Sequence, residues 1–288
     1  MANAVRNTEQ RTAVQKSREF EFTWEDFDVL RKLSNEYSGI IVSDDKFDMF
    51  YSRLSKRLRT LGLSNFREYG ALLQTNPDSE FTEFINAITT NLTAFFRENH
   101  HFEFLKETLL PEILRRNAAS RQVRVWSAGC STGEEPYSIA MTLLENLPED
   151  WNAKILATDL DTQVLATASQ GVYNEDRVSG LSEERLNRWF MKGKGANQSK
   201  VRVKPALQKL ISFNQLNLMG EWPMVGPFDL IFCRNVIIYF DRETKTELVN
   251  RYADILVDGS CLFIGHSESL NQLTDRVKLV GKTIYRKN

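Results

Sequence analysis

The stretch Val125–Ala140, VWSAGCSTGEEPYSIA, decides the fold, and a second apolar run, Ile155–Ala157, follows it. The first residues of the stretch are typical of a short buried strand. Gly129 and Gly133 then predict a turn in which the missing side chains let a ligand approach the backbone. Pro136 suits a first helical turn, so the stretch predicts a strand, a glycine turn and a helix whose N-terminus faces a ligand.

Asp159 ends the second apolar run, where nucleotide-binding folds hold a pair of ribose hydroxyls. The glycine spacing differs from that of dinucleotide-binding turns, and Glu134 and Glu135 would repel a pyrophosphate at the helix end. The two acids could instead suit the cationic amino-acid part of S-adenosylmethionine. The alternative is an ordinary strand-to-helix turn whose exposed acids interact favourably with the helix dipole.

The bulk composition limits the function. The chain has 288 residues, 42% of them hydrophobic, which is enough for two domains with real cores. Its net charge of −1 predicts no general affinity for nucleic acid or for membranes. Because no apolar run has membrane-spanning length, we expect a cytoplasmic protein without direct membrane insertion. The polar start predicts a disordered tail over residues 1–18.

Cysteine and histidine spacing predicts no metal site. Cys130, Cys233 and Cys261 are odd in number and far apart, as expected of reduced thiols. His100 and His101 are adjacent and should not share one helix face, which argues against a metal-binding pair.

The helical and strand patterns predict two domains. Residues 19–90 carry only helical patterns, and residues 91–288 alternate strands with helices, as in a parallel sheet with crossovers. A hairpin, Phe190–Val203, is expected within an insertion at about residues 176–212, although its glycines and lysines would also fit a disordered loop. A second hairpin, Lys278–Tyr285, closes the chain. The predicted strands are Val123–Trp126, Ile155–Thr158, Ile211–Asn214, Phe228–Cys233 and Leu262–Gly265.

Five blocks of sequence carry a family resemblance. They are NLTAFFRENHHF (Asn91–Phe102), SAGCSTGEEPYS (Ser127–Ser138), ATDLD (Ala157–Asp161), FDLIFCRNVIIYF (Phe228–Phe240) and GHSESL (Gly265–Leu270). Together, and in this order, they closely resemble the chemotaxis receptor methyltransferases, the CheR family, over nearly the whole chain from about residue 24. The implied fold class is α/β: a small all-helical N-terminal domain, then a Rossmann-like S-adenosylmethionine-dependent methyltransferase domain with an inserted antiparallel β subdomain.

The resemblance implies methyl transfer from S-adenosylmethionine to specific glutamate side chains on the cytoplasmic helices of chemoreceptors. The products are glutamyl methyl esters, used in sensory adaptation, and S-adenosylhomocysteine. Arg97 and Tyr239 match family positions close to the transferred methyl group, and we expect a monomer. Matched residue by residue, the family's cofactor contacts fall on Asn91, Thr93, Arg97, Glu135, Asp159, Asn217, Leu218, Arg234 and Asn235.

This chemistry needs no general base, because a glutamate carboxylate with a pKa of about 4.3 is already ionised at neutral pH. The attack joins an anion to a sulfonium cation, so desolvation and alignment should supply the catalysis. A tight pair between Arg97 and the attacking carboxylate would stabilise the ground state more than the transition state. We therefore expect Arg97 chiefly to orient cofactor and substrate, and Tyr239 either to contact the carboxylate or to shield the methyl group.

Two surfaces are candidates for substrate binding. Cations gather on one helix over residues 49–63, and the family resemblance supports recognition of an acidic receptor helix there; the alternative is an ordinary solvated face. The second surface is the inserted hairpin. Its two glycines are expected to leave backbone groups accessible, and Val201–Val203 is expected to be an edge strand. The receptor's C-terminal tail peptide could then add to the hairpin as a further strand. The residues concerned are Arg53, Lys56, Arg57 and Arg59 on the helix, and Gly193, Gly195 and Arg202 in the hairpin.

The sequence alone leaves two alternatives to receptor methylation. The cofactor fold does not determine the methyl acceptor, so a methyltransferase of another protein, a nucleic acid or a small molecule is the first alternative. The neutral net charge argues against a nucleic-acid substrate. A noncatalytic cofactor-sensing module is the second alternative, and the intact Arg97, Asn235 and Tyr239 argue against it.

Overall fold

The computed structural model describes residues 18–75 and 77–288, without the side chains of residues 77–79. The chain divides into two compact units between Thr89 and Thr90. Of the tail predicted over residues 1–18, residues 1–17 lie outside the described residues. Arg18 is described and was wrongly assigned to a disordered tail. The Arg18 guanidinium pairs with Asp48 at 2.6 Å and lies 4.6 Å from the centre of the Tyr51 ring. Over the part of the chain that is described, no helix is long and apolar enough to span a bilayer.

The first unit is helical, as predicted. Its helices are α1 (Trp24–Ser38), α2 (Phe47–Leu61), α3 (Phe66–Thr75) and α4 (Pro77–Ile88). A capping box between Thr23 and Asp26 begins α1, and Gly39, with φ of 73°, ends it. The apolar faces of the helices meet in an aromatic core, in which Phe27 and Phe50 pack edge to face at 5.3 Å.

A seven-stranded sheet forms the centre of the second unit. Its strands are β1 (Gln122–Ala128), β2 (Asn152–Asp159), β6 (Ile211–Gln215), β7 (Phe228–Phe232), β8 (Leu256–Phe263), β9 (Val277–Gly281) and β10 (Ile284–Lys287). They lie in the order β6-β2-β1-β7-β8-β10-β9. The neighbours from β6 to β8 are parallel, while β10 is antiparallel to β8 and β9, so the parallel sheet and the closing hairpin are both confirmed.

The α-helices of the second unit are α5 (His100–Phe104), α6 (Leu110–Arg116), α7 (Glu134–Asn146), α8 (Thr162–Gln170), α9 (Glu175–Val178), α10 (Glu183–Trp189), α11 (Pro205–Gln208) and α12 (Arg242–Ile255). Of these, α7, α8 and α12 pack against the seven-stranded sheet, whose central strands are buried almost throughout. A π-helical segment, Leu105–Leu109, joins α5 to α6. Asp241 caps α12 by accepting a hydrogen bond from the Thr244 amide at 2.7 Å, as its position before the helix predicts.

The insertion forms a small sheet of its own. Its strands are β3 (Val172–Asn174), β4 (Phe190–Lys192) and β5 (Lys200–Val203), in the order β3-β5-β4, all antiparallel. The β4–β5 hairpin is confirmed, but β3 lies before the expected start of the insertion near residue 176. The expectation that Val201–Val203 is an edge strand is wrong, because β5 pairs on both sides and β4 is an edge.

Candidate functional site

The carboxyl ends of β1, β2, β6 and β7 lie at one edge of the sheet because these strands are parallel neighbours. The glycine turn follows β1 at this edge. Gly129 has φ of 84°, and a Cβ atom there would lie only 2.3 Å from Cγ2 of Val236. The turn after β1 therefore packs closely against the loop after β7, and both loops face the same space.

Asp159 lies at the carboxyl end of β2, within reach of the glycine turn. One carboxylate oxygen accepts a hydrogen bond from the Ser131 amide at 2.8 Å, and the other accepts one from the Asp161 amide at 3.0 Å. Burial raises the pKa of Asp159 to about 6, against the lowering effect of these amides. Each oxygen keeps a second lone pair, and the Ser131 hydroxyl is buried without a hydrogen-bond partner among the described residues. The turn can thus offer several acceptors to a polyhydroxyl ligand.

The two acids at the start of α7 are buried, so the reading of them as exposed acids is wrong. Glu134 is fully buried and pairs with the Arg177 guanidinium. Glu135 accepts from the Ser127 hydroxyl at 2.8 Å and from the Arg234 guanidinium at 3.2 Å. Burial nevertheless raises the pKa of Glu135 above its ordinary value. Both acids pair with an arginine, but the Glu134 side chain is fully buried whereas 11% of the Glu135 side chain is exposed, so Glu135 is the better candidate to meet a ligand's ammonium group.

Arg234 joins three parts of the site. Besides Glu135, its guanidinium donates to the Arg97 carbonyl and lies 3.6 Å from a carboxylate oxygen of Glu98. The residue is only 6% exposed, and its Nε atom is buried without a hydrogen-bond partner among the described residues. The buried Arg234 guanidinium therefore orients the carboxylates of Glu135 and Glu98, and it holds the turn at residues 97–98 against α7.

The remaining predicted cofactor residues lie around the same edge. The Asn91 amide donates to Asp161 at 2.9 Å, and the Thr93 carbonyl accepts from Arg177 at 2.9 Å. Asn217 and the buried Leu218 follow β6. The Leu216 backbone amide, just before them, donates a hydrogen bond to the Asp159 carbonyl at 2.9 Å. The structure thus brings residues from distant blocks together at one place.

Arg97 and Tyr239, expected near the reacting atoms, lie on two irregular turns. Arg97 is flanked by Phe96 and Glu98, whose φ angles of 52° and 56° are unusual for residues with side chains. Its guanidinium donates to the Leu92 carbonyl at 2.8 Å. Tyr239 ends a 3-10 turn after β7, and 38% of its surface is exposed. Strained turns of this kind occur where surrounding contacts fix a functional geometry.

Glu268 is a site residue to which sequence reasoning assigned no role. Its buried carboxylate accepts hydrogen bonds from the amides of Asn235 at 2.8 Å, Ile238 at 3.2 Å and Gly265. Asn235 has φ of 60°, and a Cβ atom on Gly265 would lie 2.3 Å from its side chain. The GHSESL block contained the signal, since an acid after a strand end can bind backbone amides, but only the structure shows which amides.

The cationic helix differs from the prediction. Arg53 donates to the Ile88 carbonyl at 3.0 Å, at the end of α4, and Arg57 makes two hydrogen bonds to the buried Glu80, at 2.7 and 2.6 Å. These two guanidinium groups stabilise the helical unit itself, which corrects their assignment as a docking surface. Lys56 is exposed, and Arg59 pairs with Glu19 at the surface at 2.9 Å. Both side chains lie at the surface of the helical unit, unlike those of Arg53 and Arg57.

The hairpin glycines also differ from the prediction. The Gly193 amide donates to the Lys200 carbonyl at 2.8 Å and closes the hairpin, so this backbone group is not free for a peptide. A Cβ atom on Gly193 would lie 1.9 Å from the Asn197 carbonyl oxygen, whereas Gly195, with φ of 58°, faces open space. Arg202 lies on β5, between Val172 and Met191 of the neighbouring strands. The glycines shape the turn rather than present an open edge.

The two adjacent histidines were expected to point apart, and this is wrong. The ring centres of His100 and His101 are 4.2 Å apart, because α5 begins at His100 after an irregular turn. Burial lowers the pKa of His101 to about 3, so the ring is neutral at physiological pH. Potential ligand atoms of Glu98, His100 and His101 lie within 4.8 Å of one another.

Comparison with known proteins gives matches over almost the whole chain. Residues 91–286 match the family model described as CheR methyltransferase, SAM binding domain, and residues 25–89 match CheR methyltransferase, all-alpha domain. The chemotaxis protein methyltransferase of Escherichia coli (strain K12) is 46% identical over 261 residues, 89% of this chain and 88% of that protein. Chemotaxis protein methyltransferase 2 of Pseudomonas aeruginosa is 44% identical over 271 residues, 93% of this chain and 95% of that protein.

Proposed function

Since this chain belongs to the CheR methyltransferase family, an S-adenosylmethionine-dependent family of chemotaxis, we propose that it methylates glutamate side chains of chemoreceptors. The acceptor is the γ-carboxylate of specific glutamates on the receptor's cytoplasmic helices, and the product is a methyl ester. We further propose that the protein acts in the cytoplasm as a monomer. The methyl-transfer proposal draws its main support from Arg234. This residue links Glu135 and Arg97 to the loop that carries Tyr239.

The residues present suit S-adenosylmethionine, whose sulfonium supplies an electrophilic methyl group. Asp159 offers two carboxylate oxygens to ribose hydroxyls, and the buried Ser131 hydroxyl offers another polar contact. Glu135 would meet the ammonium group of the amino-acid part, and Asn217 and Leu218 would border the adenine. Asn91, Thr93 and Asn235 complete the proposed contacts at the edge where the strands end.

The proposed transfer uses alignment rather than proton removal. The attacking glutamate is ionised at neutral pH, so the chain needs to hold it in line with the methyl group and exclude water. Arg97 suits an orienting role because its turn is held through Arg234 and its guanidinium is anchored on Leu92. Tyr239 is exposed enough to contact an incoming side chain.

Labelled methyl transfer tests the reaction. The full chain, methyl-labelled S-adenosylmethionine and a receptor cytoplasmic fragment should give label that mild base releases as methanol, because esters hydrolyse readily. A fragment with its acceptor glutamates changed to alanine is the matched control and should stay unlabelled. Base-stable label on the receptor would place the methyl group on another atom and contradict the proposal.

For receptor docking we propose the exposed cations Lys56 and Arg59 of α2 rather than the whole cationic helix. Lys56→Glu with Arg59→Glu should slow receptor methylation, most strongly at low salt, and leave S-adenosylmethionine affinity unchanged. Charge reversal at the exposed Lys154 of β2 is the matched control. Equal methylation by the docking variant and its parent would refute this role.

We also propose that the small sheet binds a receptor's C-terminal tail peptide, along the edge of β4. Only three residues of β4 pair with β5, and cations in the insertion, including Lys194 and Arg202, would attract an acidic peptide. Binding a short tether would raise the local concentration of receptor glutamates to about the millimolar range. Deleting residues 194–197 should abolish tail-peptide binding and spare methylation of tailless receptors; unchanged peptide affinity by calorimetry would count against it.

A further inference from the structure

All three histidines of the chain lie around one carboxylate, that of Glu98. His266 approaches one oxygen, Oε1, at 3.0 Å, and the Arg234 guanidinium lies 3.6 Å from the same atom. The other oxygen, Oε2, is buried and has no hydrogen-bond partner among the described residues. It faces the fully buried His101, whose Nδ1 atom lies 3.8 Å away and also lacks a partner in the described chain.

The two histidine rings share one backbone carbonyl. The Nε2 atoms of His100 and His101 each lie 3.2 Å from the Lys282 carbonyl oxygen. The Nε2 atom of His101 also lies 3.0 Å from the Thr283 hydroxyl oxygen, whose own proton is donated to the Lys282 carbonyl at 2.8 Å. A carbonyl oxygen only accepts hydrogen bonds, so the proton of each ring belongs on Nε2. Each Nδ1 atom then carries a lone pair. Histidines that bind metals are held in this way, with the second ring N–H donated to a carbonyl or carboxylate.

A buried carboxylate oxygen and an imidazole lone pair therefore face each other with no donor between them. Two acceptors in this position repel each other unless a cation or a water molecule lies between them. Zinc bonds of about 2.0 to 2.2 Å place two ligand atoms roughly 3 to 3.5 Å apart. The observed 3.8 Å between Glu98 and His101 needs a closure of only a few tenths of an ångström, whereas the full set, whose ligand atoms lie within 4.8 Å, needs the half-buried His100 ring to move by about 1 Å.

We propose that Glu98, His100 and His101 form a binding site for a divalent transition-metal ion, with zinc as the reference ion. Two imidazoles and one carboxylate are typical zinc ligands, whereas magnesium and calcium prefer oxygen ligands alone. Glu98 can bind the ion through Oε2 while Oε1 keeps its contacts with Arg234 and His266. The site lies one residue from Arg97, so the ion also steadies the strained turn that carries this residue.

The affinity for zinc should be moderate, below that of a structural zinc site. The three groups supply one negative charge, which Arg234 already shares, and they leave a coordination position to solvent. We expect one zinc ion per chain with a dissociation constant on the order of 1 µM. The buried thiols of Cys130, Cys233 and Cys261 offer little competition.

Zinc titration of the untagged, chelator-treated full chain by calorimetry tests the site. His100→Gln, which can still donate to the Lys282 carbonyl but offers no ring nitrogen, should weaken zinc binding more than about tenfold. His266→Gln is the matched control: it removes a histidine beside the same carboxylate but outside the proposed ligand set, and should bind zinc as the parent does. This readout needs neither receptor nor S-adenosylmethionine, so its failure is distinct from failure of the proposed function.

Parental zinc affinity in His100→Gln, or no binding by the unmodified chain, would overturn the proposal and leave a bridging water as the occupant. If His100→Gln does not fold, as judged by circular dichroism, cobalt titration of the unmodified chain decides instead. The intense visible bands of four- or five-coordinate cobalt support the site, and the pale spectrum of six-coordinate aqueous cobalt rejects it.

Discussion

At the scale of single residues, Asp159 illustrates how burial prepares a binding group. Asp159→Ala should weaken S-adenosylmethionine binding by about 1.5 to 3 kcal/mol, roughly ten- to a hundredfold, because the proposed hydrogen bonds to the ribose hydroxyls are lost. Folding should change far less. Calorimetric titration of the folded variant gives the affinity, and a parental value would show that this carboxylate does not hold the ribose.

The raised pKa of Asp159 predicts a pH dependence of cofactor affinity. The ionised carboxylate accepts both hydroxyls, so affinity should be highest above pH 6 and fall as the pH drops through the pKa of about 6. Between pH 7.5 and pH 5 the dissociation constant should rise about tenfold. Asp159→Asn should bind more weakly at pH 7.5 and lose most of this pH dependence. A parental pH profile in the Asn variant would assign the titration to another group, such as Glu135.

Arg57 is the residue whose role the structure changes most. Arg57→Ala removes the guanidinium from the buried Glu80 carboxylate, which keeps the hydrogen bond from the Tyr69 hydroxyl at 3.0 Å, and should lower the free energy of unfolding of the helical unit by about 3 kcal/mol. Arg59→Ala is the matched control, since its pair with Glu19 is about half exposed and should contribute under about 1 kcal/mol. Denaturant unfolding measures both, and equal effects would contradict this distinction.

At the scale of elements, the loop after β7 is shaped by a carboxylate from a distant turn. Glu268→Gln replaces an acceptor with a donor facing amides, so stability should fall by about 1 to 3 kcal/mol. S-adenosylmethionine affinity should also fall several-fold, because Asn235 lies in this loop. Glu247→Gln, at an exposed position of α12, is the control for a lost charge. If stability falls while cofactor affinity and methylation stay parental, Glu268 supports the fold without positioning the site.

At the scale of the whole molecule, the division between Thr89 and Thr90 separates the proposed functions. Every proposed cofactor residue lies after this division, whereas Lys56 and Arg59 lie before it. Residues 90–288 expressed alone should therefore bind S-adenosylmethionine with the affinity of the full chain but methylate receptors more slowly. Calorimetry and a receptor methylation assay on the same preparation measure the two properties. Loss of cofactor binding in a folded fragment would contradict the assignment.

The sequence by itself determined the helical first domain, the parallel sheet with its closing hairpin, and a nucleoside-type ligand at the ends of the strands. These follow from local periodicity, from the glycine turn before α7 and from the acid at the end of β2, all of which are readable within short stretches. S-adenosylmethionine itself is implied by the family resemblance of the five sequence blocks. Only the tertiary structure decided that Arg53 and Arg57 bind within the helical unit, that β5 is central, that Glu134 is buried, and that Glu98 gathers the histidines. The physical reason is that these roles depend on partners far away along the chain, which no local pattern records.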